Sequence, residues 1–424
     1  MFNFLKKKRK PEKDIFKVGE FNMENINLSK SYNFITVFRY MNDVVNTVYP
    51  ACASCYGIPK NKNTEYEQRL EYIGRRVKSY HTSILEHSNV VLQVYIPLEG
   101  GIEKVTTKHT NNEDILDISE SAYILPMISE VRDACRYLTL YTDYIEDGNI
   151  MRLTIGGSIR GYRYIFENIQ NRENRLFISI FKVLTTVIPK QFFIDFINDE
   201  VMSSYSHMET QSYNKTINSD LIDIINVDDL VKISDKLKIG DFNCLDFVSI
   251  TVNFKNMSRV ITQQVTRHRN AITQESQRYV NYSDSCFNSP SKFKDKYDEY
   301  TVYHTSLGDY NLQGLGDLLT NLYSDLVKQG VEKEDARGYL PQNVQCGSLY
   351  MTFTLRTLLS FLQLRTDPHA QAEVRMYANK LAELTDSYGK NLGYDNILKA
   401  AEDLTKPIYA RSYIDPYSTI DEEV

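Results

Sequence analysis

The run Phe247-Val248-Ser249-Ile250-Thr251-Val252-Asn253-Phe254 alternates apolar and polar residues, the pattern of a half-buried strand with Val248, Ile250, Val252 and Phe254 facing inward. Ser258 then reads as the cap of a short helix that carries Val260, Ile261, Gln264 and Val265 toward Arg267-His268-Arg269. Farther on, Asp367 before Pro368 reads as an N-cap with proline in the first helical position. Ala370, Val374, Tyr377, Ala378, Leu381 and Leu384 share one face of the helix expected to follow, with His369 and Gln371 in its first turn. In the N-terminal half Thr64 and Glu67 have capping-box spacing, and Tyr66, Leu70, Ile73, Val77 and Tyr80 recur at helical intervals. The spacing predicts an amphipathic helix near 64–80 and then a strand over 90–96. Helical periodicity dominates, and Asn281–Asp309, rich in Ser, Lys, Asp and Tyr, reads as a mobile surface loop. The expected class is α+β, helix-rich, with a small central sheet in each module.

A chain of 424 residues is long enough for two or three domains, each with its own core. No apolar run is long enough to span a bilayer, and Met1-Phe2-Asn3-Phe4-Leu5 is followed at once by Lys6-Lys7-Lys8-Arg9-Lys10 rather than by a secretory signal, so a cytoplasmic protein is expected. The basic tail over 1–20 reads as a flexible, solubilising terminus, with contact to nucleic acid or a partner as the alternative. A formal charge of −6 excludes a chain built to coat DNA, and no stable nucleic-acid partner is expected. The cysteines are scattered and expected to be reduced. Cys52-Ala53-Ser54-Cys55 has the spacing of a redox or zinc pair but no second pair accompanies it, so no metal site is expected. High Tyr and Asn content with no Trp fits an A+T-rich coding sequence such as a virus carries.

The polar stretch Gln264 to Tyr279 changes this picture. Gln264, Arg267, His268, Arg269, Glu275, Ser276, Gln277 and Arg278 are poor core material and good material for holding a phosphorylated aromatic ligand. Arginine forks match phosphate oxygens bidentately, and amides and hydroxyls can read a base edge. The alternative is a solvated helix followed by a polar loop, since charge runs usually face water. The predicted strand and helix on either side favour a placed site.

These residues, together with Arg337-Gly338-Tyr339-Leu340-Pro341 and Leu355-Arg356 through Leu364-Arg365-Thr366-Asp367-Pro368-His369-Ala370-Gln371, resemble the flavin-dependent thymidylate synthases in order and spacing over about 245–400. The resemblance implies methylation of dUMP to dTMP, with methylenetetrahydrofolate as carbon donor, reduced FAD as hydride donor and NADPH as electron source. By matching positions, Gln264, Arg267, Ser276, Gln277, Arg278, Arg337 and Arg365 are expected around dUMP. His268, Arg269, Glu275, Arg356 and His369 are expected around FAD, with His369 also beside the folate. Arg267, Ser276, Arg365 and His369 are the expected catalytic set, Ser276 as a hydrogen-bonding group rather than a nucleophile. None of the cysteines follows a proline, which argues against the thiolate route of the classical enzymes. The sequence departs from the family pattern in a segment one residue shorter between Arg269 and Ser276, in Ile272 where serine is common, and in Thr354 and Ser360 where asparagine is frequent. A related enzyme forming 5-hydroxymethyl-dUMP and a non-catalytic nucleotide-binding scaffold are the alternatives.

The N-terminal half carries His81-Thr82-Ser83-Ile84-Leu85-Glu86-His87, which resembles the family segment that leads into the central strand and touches FAD through His81, Ser83 and Glu86. At the matching point the C-terminal half has Cys244-Leu245-Asp246. Thr107–Asn111 looks like a worn copy of Thr266–Asn270, and Ser158–Phe166 can be laid over the segment starting at Thr354, which puts Ile169 opposite Arg365 and Glu173 opposite His369. The chain thus reads as a tandem repeat, a degenerate module over 21–225 and a module with the nucleotide and flavin motifs over 226–424, against the alternative of an unrelated N-terminal domain. Family members are homotetramers whose sites draw on several subunits, so the expectation is a homodimer that imitates the tetramer with fewer working sites than modules.

Overall fold

The computed structural model describes residues 34–40, 44–58, 65–79, 81–97, 138–145, 150–168, 184, 188–192, 217–218, 222–227, 242–268, 270–298, 301–306 and 308–412. The basic tail, Thr107–Asn111, Ile169, Glu173 and Arg269 lie outside them. Two compact units emerge, the first drawn from Met1–Tyr49 and Asn63–Asn214, the second from Pro50–Lys62 and Lys215–Val424. Both mix helix and antiparallel sheet, so the class is α+β.

In the first unit β1 (Phe34–Tyr40) is followed by helix α1 (Val44–Cys55), α2 (Tyr66–Lys78), a 3-10 turn at Thr82–His87, then β2 (Val90–Pro97), β3 (Leu138–Ile145), β4 (Ile150–Gly157) and α3 (Ile159–Asn168). The sheet order is β1-β2-β4-β3, antiparallel throughout. Helix α2 buries Leu70, Ile73 and Val77, as its periodicity requires, but starts one residue later than the capping-box spacing implies. Glu65 is its N-cap and makes no side-chain cap, while Thr64 lies outside the described residues. The boundary between the units falls inside α1 at Pro50, a residue with no N–H to donate to the helix.

The second unit continues with β5 (Ile217–Asn218), β6 (Ile222–Val227), β7 (Ser249–Ser258), α4 (Arg259–Val265), β8 (Ala271–Gln274), the hairpin β9 (Val302–Thr305) and β10 (Gly308–Asn311), α5 (Leu312–Lys328), α6 (Lys333–Ala336), β11 (Gln345–Thr354), α7 (Leu355–Arg365), α8 (Ala372–Asn391) and α9 (Ile397–Ser412). Its main sheet runs β5-β6-β7-β11-β8. Val248, Ile250, Val252 and Phe254 join a core with Leu358, Leu359, Phe361, Leu362, Val374, Tyr377 and Leu381 from α7 and α8 and Ile397, Ala400 and Leu404 from α9. Strand β7 corrects the half-buried expectation. Ser249, Thr251 and Asn253 are buried as well, because β6 and β11 flank the strand and both faces are covered; the Thr251 and Thr352 hydroxyls meet at 2.8 Å.

Two further expectations are corrected. Asp367-Pro368 does not open α8. The Asp367 carboxylate accepts from the His369 amide at 2.7 Å and its carbonyl from Ala370 N at 2.9 Å, which closes a separate turn. The helix begins only at Ala372, with Gln371 as N-cap, so His369 and Gln371 precede the first turn rather than sit in it. Residues 281–309 are likewise no plain surface loop. Tyr282, Phe287, Asn288 and Ser289 are buried, Phe287 bridges Val344, and the segment ends in the β9–β10 hairpin.

The two units repeat one local arrangement. In the first, Val90 pairs with Gly157 and α3 opens two residues later; in the second, Ile250 pairs with Phe353 and α7 opens two residues later. The first helical amide is anchored in both cases two residues before the strand pair, Ile159 N to Ser88 Oγ and Leu355 N to Val248 O, each at 2.8 Å. The second helical residue is an arginine in both, and it pairs with the acid four residues before the strand position, Arg160 with Glu86 and Arg356 with Asp246.

Candidate functional site

Helix α4 carries Gln264 on its last turn, and a 3-10 turn at Thr266–His268 continues it and presents Arg267 exposed and His268 half-buried. Arg365, at the end of α7, reaches across. Its Nε donates to His268 Nε2 at 2.9 Å and its Nη2 to the Gln264 carbonyl at 3.3 Å. Two motifs about a hundred positions apart are thereby joined by one guanidinium. Burial, and then the Arg365 charge, push His268 down to about 4. The ring is therefore neutral near pH 7, Nε2 accepts from Arg365, and the ring proton sits on Nδ1. Phe361 packs edge-on to the imidazole at 4.9 Å and fixes its tilt. Arg365 itself is lowered, by burial and by the nearby Arg267. Two cations held this close, without a carboxylate bonded to Arg365 among the described residues, form a field that favours an anionic or electron-rich group.

The downstream turn follows β8. Ser276 Oγ accepts from Arg278 N at 3.2 Å, and Arg278 Nε donates to Glu334 at 2.6 Å, which raises the arginine. Arg337 is half-buried, with its Nε donating to the Glu334 carbonyl at 3.0 Å. Gln277 is buried. Glu275 turns inward, where its carboxylate accepts from the Tyr282 hydroxyl at 2.7 Å and Gly347 N at 3.3 Å. Arg356 is bound by both Asp246 oxygens, at 2.9 and 2.8 Å, and donates to the Phe242 carbonyl at 2.7 Å. His369 is almost fully exposed, its Nδ1 at 2.9 Å from Asp367. His81 and Ser83 are exposed in the first unit, where Glu86 pairs with Arg160. The structure thus brings Gln264, Arg267, His268 and Arg365 together around one guanidinium, whereas Glu275 and Arg356 are engaged in internal bonds.

Several supporting residues escaped the sequence reading. Glu373 is 4% exposed; its carboxylate accepts from Ser258 N and Ser258 Oγ, both at 2.7 Å, and from Asn288 Nδ2 at 2.8 Å. Ser258 is the N-cap of α4 as expected, but its hydroxyl serves Glu373 instead of the helix. Gln371, just before α8, accepts from Gln264 Nε2 at 2.7 Å. One carboxylate therefore ties the start of α8 to the start of the helix that bears Gln264. The only sequence signal was an acid among the first residues of an amphipathic helix, a common surface position.

Residues 198–387 match the family model described as thymidylate synthase complementing protein. Among curated proteins, a flavin-dependent thymidylate synthase of Pyrococcus abyssi is 30% identical over 189 residues, 43% of this chain and 70% of the relative. Those of Pyrococcus furiosus and Thermococcus onnurineus are each 32% identical, over 152 and 150 residues; the match spans 35% and 34% of this chain and 58% and 57% of the relatives' own length. The chain belongs to the flavin-dependent thymidylate synthase family.

Proposed function

We propose that the chain is an active flavin-dependent thymidylate synthase that converts dUMP to dTMP, with methylenetetrahydrofolate as carbon donor, FAD as cofactor and NADPH as electron source. The observation that carries the reading is the Arg365 guanidinium bridging His268 and Gln264 beside Arg267, in a chain of this family. Arg365 and Arg267 supply positive charge for the phosphate, or for the uracil carbonyl where electron density builds up in the transition state. The neutral His268 offers its Nδ1 proton as a donor, and Ser276 and Gln277 contribute hydrogen bonds. Among the described residues Asn270 Nδ2 and Gln274 Oε1, at either end of β8, are buried without a hydrogen-bond partner. Such orphaned groups point to a ligand. A donor and an acceptor of this kind suit the polar edge of a flavin, for which His268, Arg269 and His369 of the second unit and His81, Ser83 and Glu86 of the first are the proposed contacts. A bound reduced flavin would supply the hydride that completes the methyl group. Cys346, buried and with its thiol raised chiefly by that burial, is unsuited to act as a nucleophile.

The matching strand register, helix anchor and acid–arginine pair in the two units support a tandem duplication of one module, the first copy having lost the residues opposite Arg365 and His369. A homodimer that imitates a tetramer follows from that reading. The test is the absorbance spectrum of the purified protein, then anaerobic reduction and addition of dUMP with methylenetetrahydrofolate, with the nucleotide analysed by mass. Flavin reoxidised as dTMP accumulates is the expected result; a hydroxymethyl product, or failure to take up flavin on reconstitution, would overturn the reading.

A further inference from the structure

The turn that carries Ser276 and Arg278 is held from outside by a piece of chain from the far end of the sequence. Within the turn, Val280 N and Tyr279 N bond the Ser276 carbonyl at 3.0 and 3.3 Å, which closes it but does not fix it to the fold. The end of α1 does. Ser276 N donates to the Cys55 carbonyl at 3.3 Å, satisfying one of the acceptors that a helix C-terminus leaves without an intrahelical partner. The Tyr56 ring stacks on Tyr279, centroids 5.2 Å apart and planes 25° apart. Gly57 has φ +66, and a Cβ there would lie 2.6 Å from Val280 Cγ2, so this glycine allows both the reversal of the chain and its close approach to the turn. The same Tyr279 ring is linked to function more directly, since the Arg278 guanidinium lies 5.6 Å from its centre. All of these residues belong to the second unit.

We propose that Cys55-Tyr56-Gly57 is a positioning element that presets the Ser276–Arg278 turn for the substrate, with Tyr56 acting on Arg278 through Tyr279. This rests on the reading of Ser276 and Arg278 as dUMP contacts. Ordering a free turn of this length on binding costs conformational entropy, and a turn already fixed by a hydrogen bond, a ring stack and a backbone fit avoids most of that cost. Loss of the stack is therefore expected in substrate affinity rather than in the chemical step.

Two readouts on the full chain test the proposal. Hydrogen exchange of the Ser276–Val280 amides should be slow in the wild type, accelerate at least tenfold in Tyr56→Ala and Gly57→Ala, and stay slow in Tyr56→Phe, which retains the ring. The Val280→Ala change in the Gly57→Ala background should recover part of the protection by removing the collision. In steady state, Tyr56→Ala should raise KM for dUMP by about tenfold, with kcat within twofold and flavin content unchanged, the size expected of one aromatic pair. Unaltered exchange in Tyr56→Ala overturns the proposal, as does a kcat that falls in step with flavin content, which would mark a merely structural role. A wild type that does not use dUMP would sink the functional reading instead, and exchange would still decide whether the helix end holds the turn.

Discussion

Arg365 makes the contact that sequence alone cannot supply. Its motif and that of His268 are each legible as polar runs, but only the fold shows that one guanidinium serves both. Arg365→Lys keeps the charge and loses the fork, so kcat/KM for dUMP should fall on the order of 10- to 100-fold, measured in steady state against unchanged flavin content. Glu373→Gln places an amide among the donors of Ser258 and Asn288 and should lower the stability of the second unit by about 2 kcal/mol in urea unfolding. His87 gives a pH prediction. Its burial holds it at about 3, below the ordinary histidine value of about 6.5. The unfolded chain therefore binds the proton more readily, and stability present above pH 6.5 is lost as pH falls toward the folded value. From pH 7 to pH 5 the loss is about 2 kcal/mol. Urea titrations of the wild type and His87→Gln at both pH values check this, the gap between them narrowing at pH 5. The arginines were visible in the sequence because charge in regular structure stands out. Glu373 and Asp246 were not, because their partners Ser258, Asn288 and Arg356 lie 85 to 115 positions away.

The elements themselves were legible where one face is apolar and the other wet. Helix α2 follows its spacing at Leu70, Ile73 and Val77, though Tyr66 at its start is exposed, and α8 buries Val374, Tyr377, Ala378 and Leu381 as expected. The failures share a cause, local polar chemistry redirected by a tertiary partner. Asp367 bonds His369 and forms a turn, Ser258 bonds Glu373, and the polar face of β7 is covered by neighbouring structure. The acid–arginine pair at the start of α7 lies mostly shielded from solvent, with side chains 25% and 22% exposed, so Asp246→Ala should cost about 1 to 3 kcal/mol by leaving Arg356 uncompensated. A double-mutant cycle with Arg356→Met measures the coupling; the more exposed Glu86–Arg160 pair should give a smaller value. Between α8 and α9 the fit is tighter still. A Cβ on Gly389 would lie 2.2 Å from the Ile397 amide nitrogen, and backbone cannot step aside as a side chain would. Gly389→Ala should destabilise the unit by about 3 kcal/mol, read from its unfolding midpoint.

At the scale of the molecule, a homodimer is the expected assembly, seen by light scattering as twice the chain mass of 49.3 kDa and unchanged by dilution into the nanomolar range. A fully active monomer would count against a tetramer-like arrangement of modules. Among the described residues no helix is long and apolar enough to cross a membrane. The division of the chain into units was only partly legible from sequence, because a short helix end gives no compositional sign of the unit it joins. Pro50–Lys62 packs with residues from Lys215 onward, although Asn63–Asn214 is made in between. During synthesis at ~5 to 20 residues per second, roughly ten to thirty seconds pass between the emergence of that helix end and the arrival of its partner. Ala51, Cys52 and Ala53, all destined for burial, leave the ribosome early and wait through that interval. Translation speed across the intervening segment thus becomes a variable in the yield of folded protein.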